Sequence, residues 1–310
     1  REKSSTELDA LKYLQSNLEA FNTYVSDLSS PDLFSQKTAE SVNDSIIGVT
    51  SSNEAAVGAY QIESHQLAQA HTQVVNKVFG SPSDTISAGD LNITLAGQTQ
   101  TITVDSSNNT LEGLQKIINN GDYGVTASII NNGNGYQMMF TAKETGASSE
   151  VTLSGLSDFD TEGFTITSEA QDAVMVINGL TVTSSDNTFD EVIEGVSFEL
   201  KGIAPGMPST VTVDRDQEQV KEAITSFVDV YNQLDTILDE LGSYDSSDLT
   251  EEELESEEYA FYGDLAGSSL LRSVRNDIKT ALSGAIDSVG GAFRTLADLG
   301  ISIDRDGVMQ

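Results

Sequence analysis

Residues 216–241 read DQEQVKEAITSFVDVYNQLDTILDEL, and apolar side chains recur in this stretch at every third or fourth position. This alternation keeps the apolar side chains on one stripe of an α-helix, and such a stripe needs a partner helix. Asp216 and Gln219 form a capping-box pair, which satisfies free backbone N–H groups at a helix start. The stretch therefore predicts a long amphipathic helix with one face packed against another helix.

A second stripe of the same kind lies near the beginning of the chain, at residues 5–28, where Ser4 and Glu7 form another capping-box pair. Two matching stripes favour one stalk built from both chain ends, with the long middle of the chain inserted at its tip. The alternative is two ordinary amphipathic helices, each packed on its own core. The predicted packing residues, called the helical seam below, are Leu11, Leu14, Leu18, Phe21, Val25, Leu28, Val220, Ile224, Phe227, Tyr231, Leu234 and Leu238.

The charge balance excludes several classes of partner. The chain has 15 Lys and Arg residues against 49 Asp and Glu residues, so its formal net charge is -34. Binding to nucleic acid or to an anionic membrane surface depends on clustered Lys and Arg, and both are excluded. The absence of cysteine excludes disulfides and thiolate sites. No apolar run reaches the roughly 18 residues that a membrane-spanning helix needs, so no membrane insertion is expected.

The middle of the chain has the composition of antiparallel β-sheet. Residues of high β propensity alternate there with Thr, Ser and Gln. A short helix is predicted at residues 111–119 behind Asn109-Thr110, the segment Asn132–Gly135 predicts a hairpin turn, and Phe79–Pro82 is interpreted as a linker. The predicted strands are residues 46–49, 60–63, 91–95, 101–104, 125–129, 136–141, 174–182, 196–200 and 211–213.

These elements together predict an α+β protein with nested domains. A helical, coiled-coil-like leg domain is expected from residues 1–35 and 215–310. A β-rich inner head domain is expected from residues 36–78 and 171–214, and a β-rich outer head domain from residues 79–170. A third helix after Gly267 is expected to join the leg, and the acid-rich run at 245–264 is expected to be a solvated loop.

Two segments of the middle are similar to each other. Residues 106–112 read SSNNTLE, and residues 184–190 read SSDNTFD. In both, a predicted strand ends in polar turn residues, and Asn-Thr precedes an apolar residue and an acid. A duplicated β unit is one interpretation. The other is that the same turn and cap chemistry occurs twice.

The residues that could carry chemistry do not form a site in the sequence. His65 and His71 match no common metal-ligand spacing, and two structural or solvated histidines are the preferred interpretation. Asp304–Gly307 is similar to the start of a calcium loop, but an ordinary Asp-Gly turn is preferred. No phosphate-binding loop, nucleophile elbow or dinucleotide fingerprint occurs. The sequence therefore predicts no enzyme, no catalytic residue, no cofactor and no metal.

Short segments along almost the whole chain follow one another in a specific order. They are AAVGAYQI at 55–62, QLAQA at 66–70, ISAGDLNI at 86–93, NTLEGL at 109–114, GVTASII at 124–130, QDAV at 171–174, residues 187–195, FVDVYN at 227–232, GSSLLR at 267–272, and residues 299–307. This ordered set resembles the bacterial flagellar filament cap proteins. One small departure is Ser268, where members of the family often carry an acid.

The resemblance implies a structural role in assembly. Such proteins form a ring-like homo-oligomer at the distal, extracellular end of the flagellar filament, and they promote the insertion of flagellin subunits beneath them. The implied partners are other copies of the chain, flagellin and filament-end proteins, and an export chaperone that binds further terminal segments. Members of the family are exported by the flagellar type III system, and this chain is expected to be their stable middle.

An alternative function is adhesion. In this interpretation the outer β-rich domain recognises a host glycan or a host surface protein, and that domain would bind its target without oligomerising. An assembly role and adhesion can coexist in one protein.

Overall fold

The computed structural model describes residues 2–28, 30–244, 249–250, 260–283, 296–305 and 307–310. The chain forms two units, Arg1–Gln36 with Arg215–Gln310, and Lys37–Asp214. The first is helical and the second is rich in strands, so the predicted α+β class and the leg formed by both chain ends are confirmed. Most of the acid-rich run at 245–264 lies outside the described residues.

Six α-helices and fifteen β-strands are found in the described ranges. The helices are α1 (Glu2–Leu28), α2 (Pro31–Ser35), α3 (Leu111–Asn120), α4 (Ser157–Asp160), α5 (Gln217–Gly242) and α6 (Ser269–Ser283). The strands are β1 (Lys37–Ser41), β2 (Ile47–Ser51), β3 (Gly58–Gln66), β4 (Thr72–Val75), β5 (Gly89–Leu95), β6 (Gln98–Val104), β7 (Val125–Asn131), β8 (Tyr136–Ala142), β9 (Val151–Ser154), β10 (Phe164–Ser168), β11 (Ala173–Ile177), β12 (Leu180–Ser184), β13 (Thr188–Ile193), β14 (Val196–Leu200) and β15 (Ser209–Arg215).

The helical unit is organised by α1 and α5, which pack against each other and share one apolar core. The interpretation with two separate cores is therefore wrong. At the start of α5, Asp216 Oδ1 accepts a 3.0 Å hydrogen bond from the Gln219 N–H, as predicted. The Asp216 N–H donates to the Gln36 carbonyl oxygen at 3.0 Å, so the reciprocal half of the capping box is replaced by a backbone bond.

The predicted cap of the first helix is wrong. α1 already begins at Glu2, so Ser4 lies inside the helix and not at its N-cap. Glu2 and Lys3 are good helix formers, and nothing in their chemistry stops the helix from extending past Ser4. A serine with an acid three residues later shows where a helix can start, but it does not force the start there.

The strand-rich unit contains two apolar cores. The first lies between a five-stranded sheet of order β1-β15-β3-β11-β12 and a three-stranded sheet of order β13-β14-β2. The second core lies among the sheets β10-β4-β8-β7 and β6-β5-β9 and the helix α3. The strand pairs β10–β4, β11–β3, β14–β2, β15–β3, β5–β9 and β7–β8 are antiparallel, as the alternating composition predicted.

Two segments near the predicted boundary between inner and outer head domains belong to the second core. β4 pairs with β8 and β10, although it precedes residue 79. Phe79, interpreted as part of a linker, is buried in this core and exchanges backbone hydrogen bonds with Tyr136 at 2.8 and 2.7 Å. The linker interpretation is wrong because Gly80 and Pro82 mark a turn, while the aromatic side chain before them is free to pack. The exact three-domain boundaries stay a prediction.

The segment predicted as one strand from Val174 to Val182 is a hairpin. β11 and β12 pair with each other and are joined by Asn178 at φ 48° and Gly179 at φ 86°. Positive φ at both central residues is the geometry that lets a two-residue turn follow the twist of its strands, and Asn-Gly is its preferred sequence. The apolar residues on both sides of Asn178-Gly179 made the whole segment resemble one continuous strand.

Two local predictions in the middle of the chain are confirmed. The helix α3 begins behind Thr110, whose Oγ1 accepts a 3.0 Å hydrogen bond from the Gly113 N–H. The segment Asn132–Gly135 is the turn between β7 and β8, and Asn131 pairs with Tyr136 at its base. The similar segments at 106–112 and 184–190 lead into different elements, since the first enters α3 and the second enters β13.

Candidate functional site: the helical seam

Among the described residues, the helical seam supplies seven of the fifteen buried residues in the core of the helical unit. Leu14, Phe21, Leu28, Phe227, Tyr231, Leu234 and Leu238 are buried, and Leu11, Leu18, Val25 and Ile224 are partly buried against the same cluster. Val220 is half-buried and lies outside this cluster as far as the described residues define it. Ile237 and Ala10 are buried as well, although the heptad pattern did not select them. α5 also contacts α6, so it buries more than one stripe.

Three aromatic rings lie at the centre of the seam. The rings of Phe21 and Phe227 are stacked with their centroids 5.7 Å apart, and Phe21 lies 6.3 Å from the ring of Tyr231. Burial raises the pKa of the Tyr231 hydroxyl, the carboxylate of Asp235 raises it further, and Arg275 opposes this shift. Tyr231 therefore stays neutral across the physiological pH range and acts as an apolar packing residue with one polar end.

Arg275 of α6 forms ion pairs with two aspartates of α5. Its guanidinium lies 3.7 Å from Asp235 Oδ1 and donates a hydrogen bond to Asp239. Arg275 and Asp235 are more than two-thirds buried, whereas Asp239 is exposed. A forked side chain that spans two carboxylates one helical turn apart fixes the register of α6 against α5.

The end of the chain is attached to α5 by an asparagine. Asn232 Nδ2 donates to the Met309 carbonyl oxygen at 2.9 Å, and the Met309 N–H donates to Asn232 Oδ1 at 2.8 Å. Ile303 pairs with Met309, and Asp304 Oδ1 accepts from the Val308 N–H at 2.9 Å. A turn therefore begins at Asp304, whose carbonyl oxygen accepts from the Gly307 N–H at 3.3 Å, in line with the preferred Asp-Gly turn. Asp306 lies outside the described residues, and the expected absence of a metal stays a prediction.

An apolar groove of about 540 Å³ lies between α1 and α6. Its apolar lining comes from Leu11, Leu14, Leu18, Leu270 and Val274, and its polar lining from Gln15, Glu19 and Asn22. Of the three seam leucines that line this groove, Leu11 and Leu18 are only partly buried, whereas Leu14 is buried.

The two histidines lie in different segments, His65 on β3 and His71 directly before β4, and they contact different residues. His65 is exposed on β3, where its Nε2 lies 3.0 Å from Glu63 Oε2. His71 is buried, and its Nδ1 accepts a 3.1 Å hydrogen bond from the Val151 N–H. Across the described part of the chain no group of three or more His, Asp or Glu side chains is placed to hold a metal ion. In the same residues no helix has both the length and the apolar character to cross a membrane.

The second β core has an ion pair whose pH dependence can be measured. Asp158 accepts hydrogen bonds from Lys77 and, at 2.7 Å, from the Ser87 N–H, and chiefly the Lys77 contact lowers the pKa of its carboxyl below 3.8. A lowered pKa stabilises the fold above the unfolded value, and this contribution is lost as the pH falls through the lower folded value. The free energy of unfolding is therefore expected to fall below about pH 4 in part because Asp158 takes up a proton.

The expected result for Asp158→Asn is a loss of about 1–2 kcal/mol in the free energy of unfolding at neutral pH, with a weaker acid dependence. Urea unfolding across the acidic range measures both quantities. The matched control is Asp122→Asn, because Asp122 is fully exposed in its pair with Lys143 and is expected to contribute almost nothing. Equal losses of stability for Asp158→Asn and Asp122→Asn would contradict the assignment of this acid dependence to the Asp158–Lys77 ion pair.

Comparison with protein families gives two matches. Residues 1–71 match the model described as "Flagellar hook-associated protein 2 N-terminus", and residues 170–310 match "Flagellar hook-associated protein 2 C-terminus". The B-type flagellar hook-associated protein 2 of Pseudomonas aeruginosa is 29% identical over 99% of this chain and 68% of its own length. Flagellar hook-associated protein 2 of Escherichia coli K12 is 31% identical over 97% of this chain and 66% of its own length. The chain thus spans about two thirds of these relatives.

Solved structures are similar in fold as well as in sequence. The crystal structure of the D1-D2-D3 domains of the flagellar cap protein FliD from Escherichia coli aligns with a TM-score of 0.77 at 30% identity, covering 98% of this chain and 84% of that one. FliD (HAP2) from Pseudomonas aeruginosa PAO1 aligns with a TM-score of 0.58 at 28% identity over 66% of this chain.

Proposed function

Since the chain belongs to the flagellar hook-associated protein 2 family, we propose that it caps the distal end of a bacterial flagellar filament and promotes the insertion of flagellin there. The observation that carries this proposal is the similarity in fold to the FliD D1-D2-D3 domains over 98% of the chain. The proposal is structural in kind and involves no bond-making step.

The parts of the chain have different roles in this proposal. The helical unit forms a leg that contacts the top of the filament, and the helical seam keeps its two main helices in register. The strand-rich unit contacts neighbouring copies, so that several chains form a ring. The partners are thus other copies of the chain, flagellin and filament-end proteins, and the location is extracellular, at the filament tip. Export through the flagellar channel with a chaperone belongs to the same proposal.

The high negative charge opposes the contact between copies of the chain. Like charges on copies that meet in a ring repel each other, and the repulsion decreases as salt is added. We therefore expect ring formation to depend on apolar contacts and to strengthen with ionic strength. The number of subunits follows from the molar mass of the closed assembly.

The test uses the full-length protein and short filaments of flagellin from the same bacterium. Electron microscopy is expected to show the protein at one end of each filament, and added flagellin monomers are expected to extend filaments at that end. Light scattering over a range of protein and salt concentrations is expected to give one closed oligomer. A full-length protein that stays monomeric and does not bind filament ends would contradict the proposal.

A further inference from the structure

Asparagine followed by glycine occurs four times, at Asn120-Gly121, Asn132-Gly133, Asn134-Gly135 and Asn178-Gly179. This dipeptide is prone to spontaneous deamidation, because no side chain on the glycine shields its backbone nitrogen. Among the described residues, a hydrogen bond holds the glycine N–H or the asparagine side chain in three of these pairs, but not in the fourth. From these differences we propose that Asn134 is the site at which the folded protein deamidates, while the fold protects the other three asparagines.

The reaction needs two free groups and water. Hydroxide removes the Gly135 N–H proton, and the backbone nitrogen attacks Cγ of Asn134 to form a new C–N bond. The bond from Cγ to Nδ2 breaks, and Nδ2 takes a proton from water and leaves as ammonia. The product is a succinimide ring. Water then opens the ring at one of its two carbonyl carbons, which leaves aspartate or isoaspartate. A pair whose glycine N–H or asparagine side chain is held in a hydrogen bond must first break that bond.

The pair Asn134-Gly135 meets both requirements. It lies in the turn between β7 and β8, and Asn134 is exposed. Within the described residues, neither the side-chain amide of Asn134 nor the N–H of Gly135 has a hydrogen-bond partner. The backbone around the pair is nevertheless ordered, since the Asn134 N–H donates to Asn132 Oδ1 at 2.9 Å and the Gly135 carbonyl oxygen accepts from the Asn132 N–H at 3.0 Å.

The turn also requires a glycine at position 135. Gly135 has φ +148°, and a Cβ atom there would lie 2.5 Å from the carbonyl oxygen of Phe79. Any other residue would clash with backbone that is itself paired to Tyr136. The packing of the turn against Phe79 therefore keeps an unshielded nitrogen directly after Asn134.

Each of the other pairs is held by a hydrogen bond at one of the reacting groups. The Gly121 N–H donates to the Ile117 carbonyl oxygen at 3.0 Å, at the end of α3. The Gly133 N–H donates to Asn131 Oδ1 at 2.9 Å. Asn178 Oδ1 accepts from the Gln61 N–H at 2.9 Å, which fixes that side chain in the β11–β12 turn.

The test is peptide mapping by mass spectrometry after incubation of the folded chain in mildly alkaline buffer. Asn134 is expected to deamidate about fivefold to tenfold faster than the other three, the factor that one net hydrogen bond corresponds to. The same digest contains Asn120, Asn132 and Asn178 as internal controls. The variant Asn134→Gln is expected to lose the acidic charge form that accumulates in the unaltered protein, because glutamine cyclises much more slowly.

A parallel incubation in concentrated urea separates the fold from the local sequence. In the unfolded chain the protecting hydrogen bonds are absent, and all four asparagines are expected to react at similar rates. Two results would overturn the proposal: equal rates at Asn132 and Asn134 in the folded chain, or the same preference for Asn134 in urea.

Discussion

Replacing Phe227 by alanine is expected to lower the free energy of unfolding of the helical unit by about 3–5 kcal/mol, because a fully buried aromatic ring is lost and a cavity remains. Phe227 is 1% exposed and stacks on Phe21 from the opposite helix. Urea unfolding followed by far-ultraviolet circular dichroism measures the loss. Hydrogen exchange is expected to show that protection decreases in α1 and α5 and stays unchanged in the strands.

The matched control is Leu8→Ala on α1, because Leu8 is 54% exposed and its truncation leaves no cavity. It is expected to change stability by no more than about 0.5 kcal/mol. A double-mutant cycle of Phe21→Ala and Phe227→Ala is expected to give a coupling of about 0.5–1.5 kcal/mol for the stacked pair. Equal losses in the free energy of unfolding for Phe227→Ala and Leu8→Ala would contradict the role of Phe227 as a buried residue of the helical seam. In the filament assay, full-length Phe227→Ala is expected to extend fewer filaments than Leu8→Ala.

Phe159→Ala is the second substitution with a large expected effect, of about 3–5 kcal/mol on the second β core. Phe159 is completely buried, and its ring lies edge-on to Phe140 at 6.2 Å and to Phe164 at 6.5 Å. Its removal therefore takes away the common neighbour of two other rings. Hydrogen exchange measures the result as faster exchange in β8 and β10.

Ile166→Ala is the control for this core, since Ile166 lies on β10 and is 45% exposed. It is expected to cost less than about 1 kcal/mol. If Phe159→Ala increased exchange in α5 as much as in β8, a local effect of Phe159 on the second β core would be contradicted. An unchanged exchange rate in β8 would contradict the packing of Phe159 itself.

The amino-acid sequence was sufficient for features that have a local period or a local turn chemistry. The helices at both chain ends follow from apolar positions every three or four residues, and their start and end are correct to within a few positions. The helix cap at Thr110 could be predicted because its side chain accepts a hydrogen bond from a backbone N–H three residues later. The Asn132–Gly135 turn could be predicted because Asn and Gly favour the backbone angles of a tight turn. Whether the chain contains the known short catalytic motifs could also be decided from the sequence, because each such motif spans only a few residues.

The sequence could not identify contacts between residues far apart in the chain. β4 pairs with β8 and β10, Phe79 forms hydrogen bonds with Tyr136, and Asn232 forms hydrogen bonds with Met309. The partners in each of these contacts are far apart in the sequence. A strand's own alternation reports which side chains are buried, but not which strand lies beside it. Ile237 shows the same limit on a helix, since a heptad predicts one partner helix, whereas α5 contacts α1, α2 and α6.

For the helical seam, the sequence alone determined which side chains share a stripe, because helical geometry places residues three and four apart on one face. Only the tertiary structure decided how deeply each is buried. Leu14 and Leu18 have the same side chain, lie on the same stripe and both line the groove beside α6, yet Leu14 is 2% exposed while Leu18 is only partly buried. Burial depends on every element that surrounds a side chain, and these elements come together only when the chain folds.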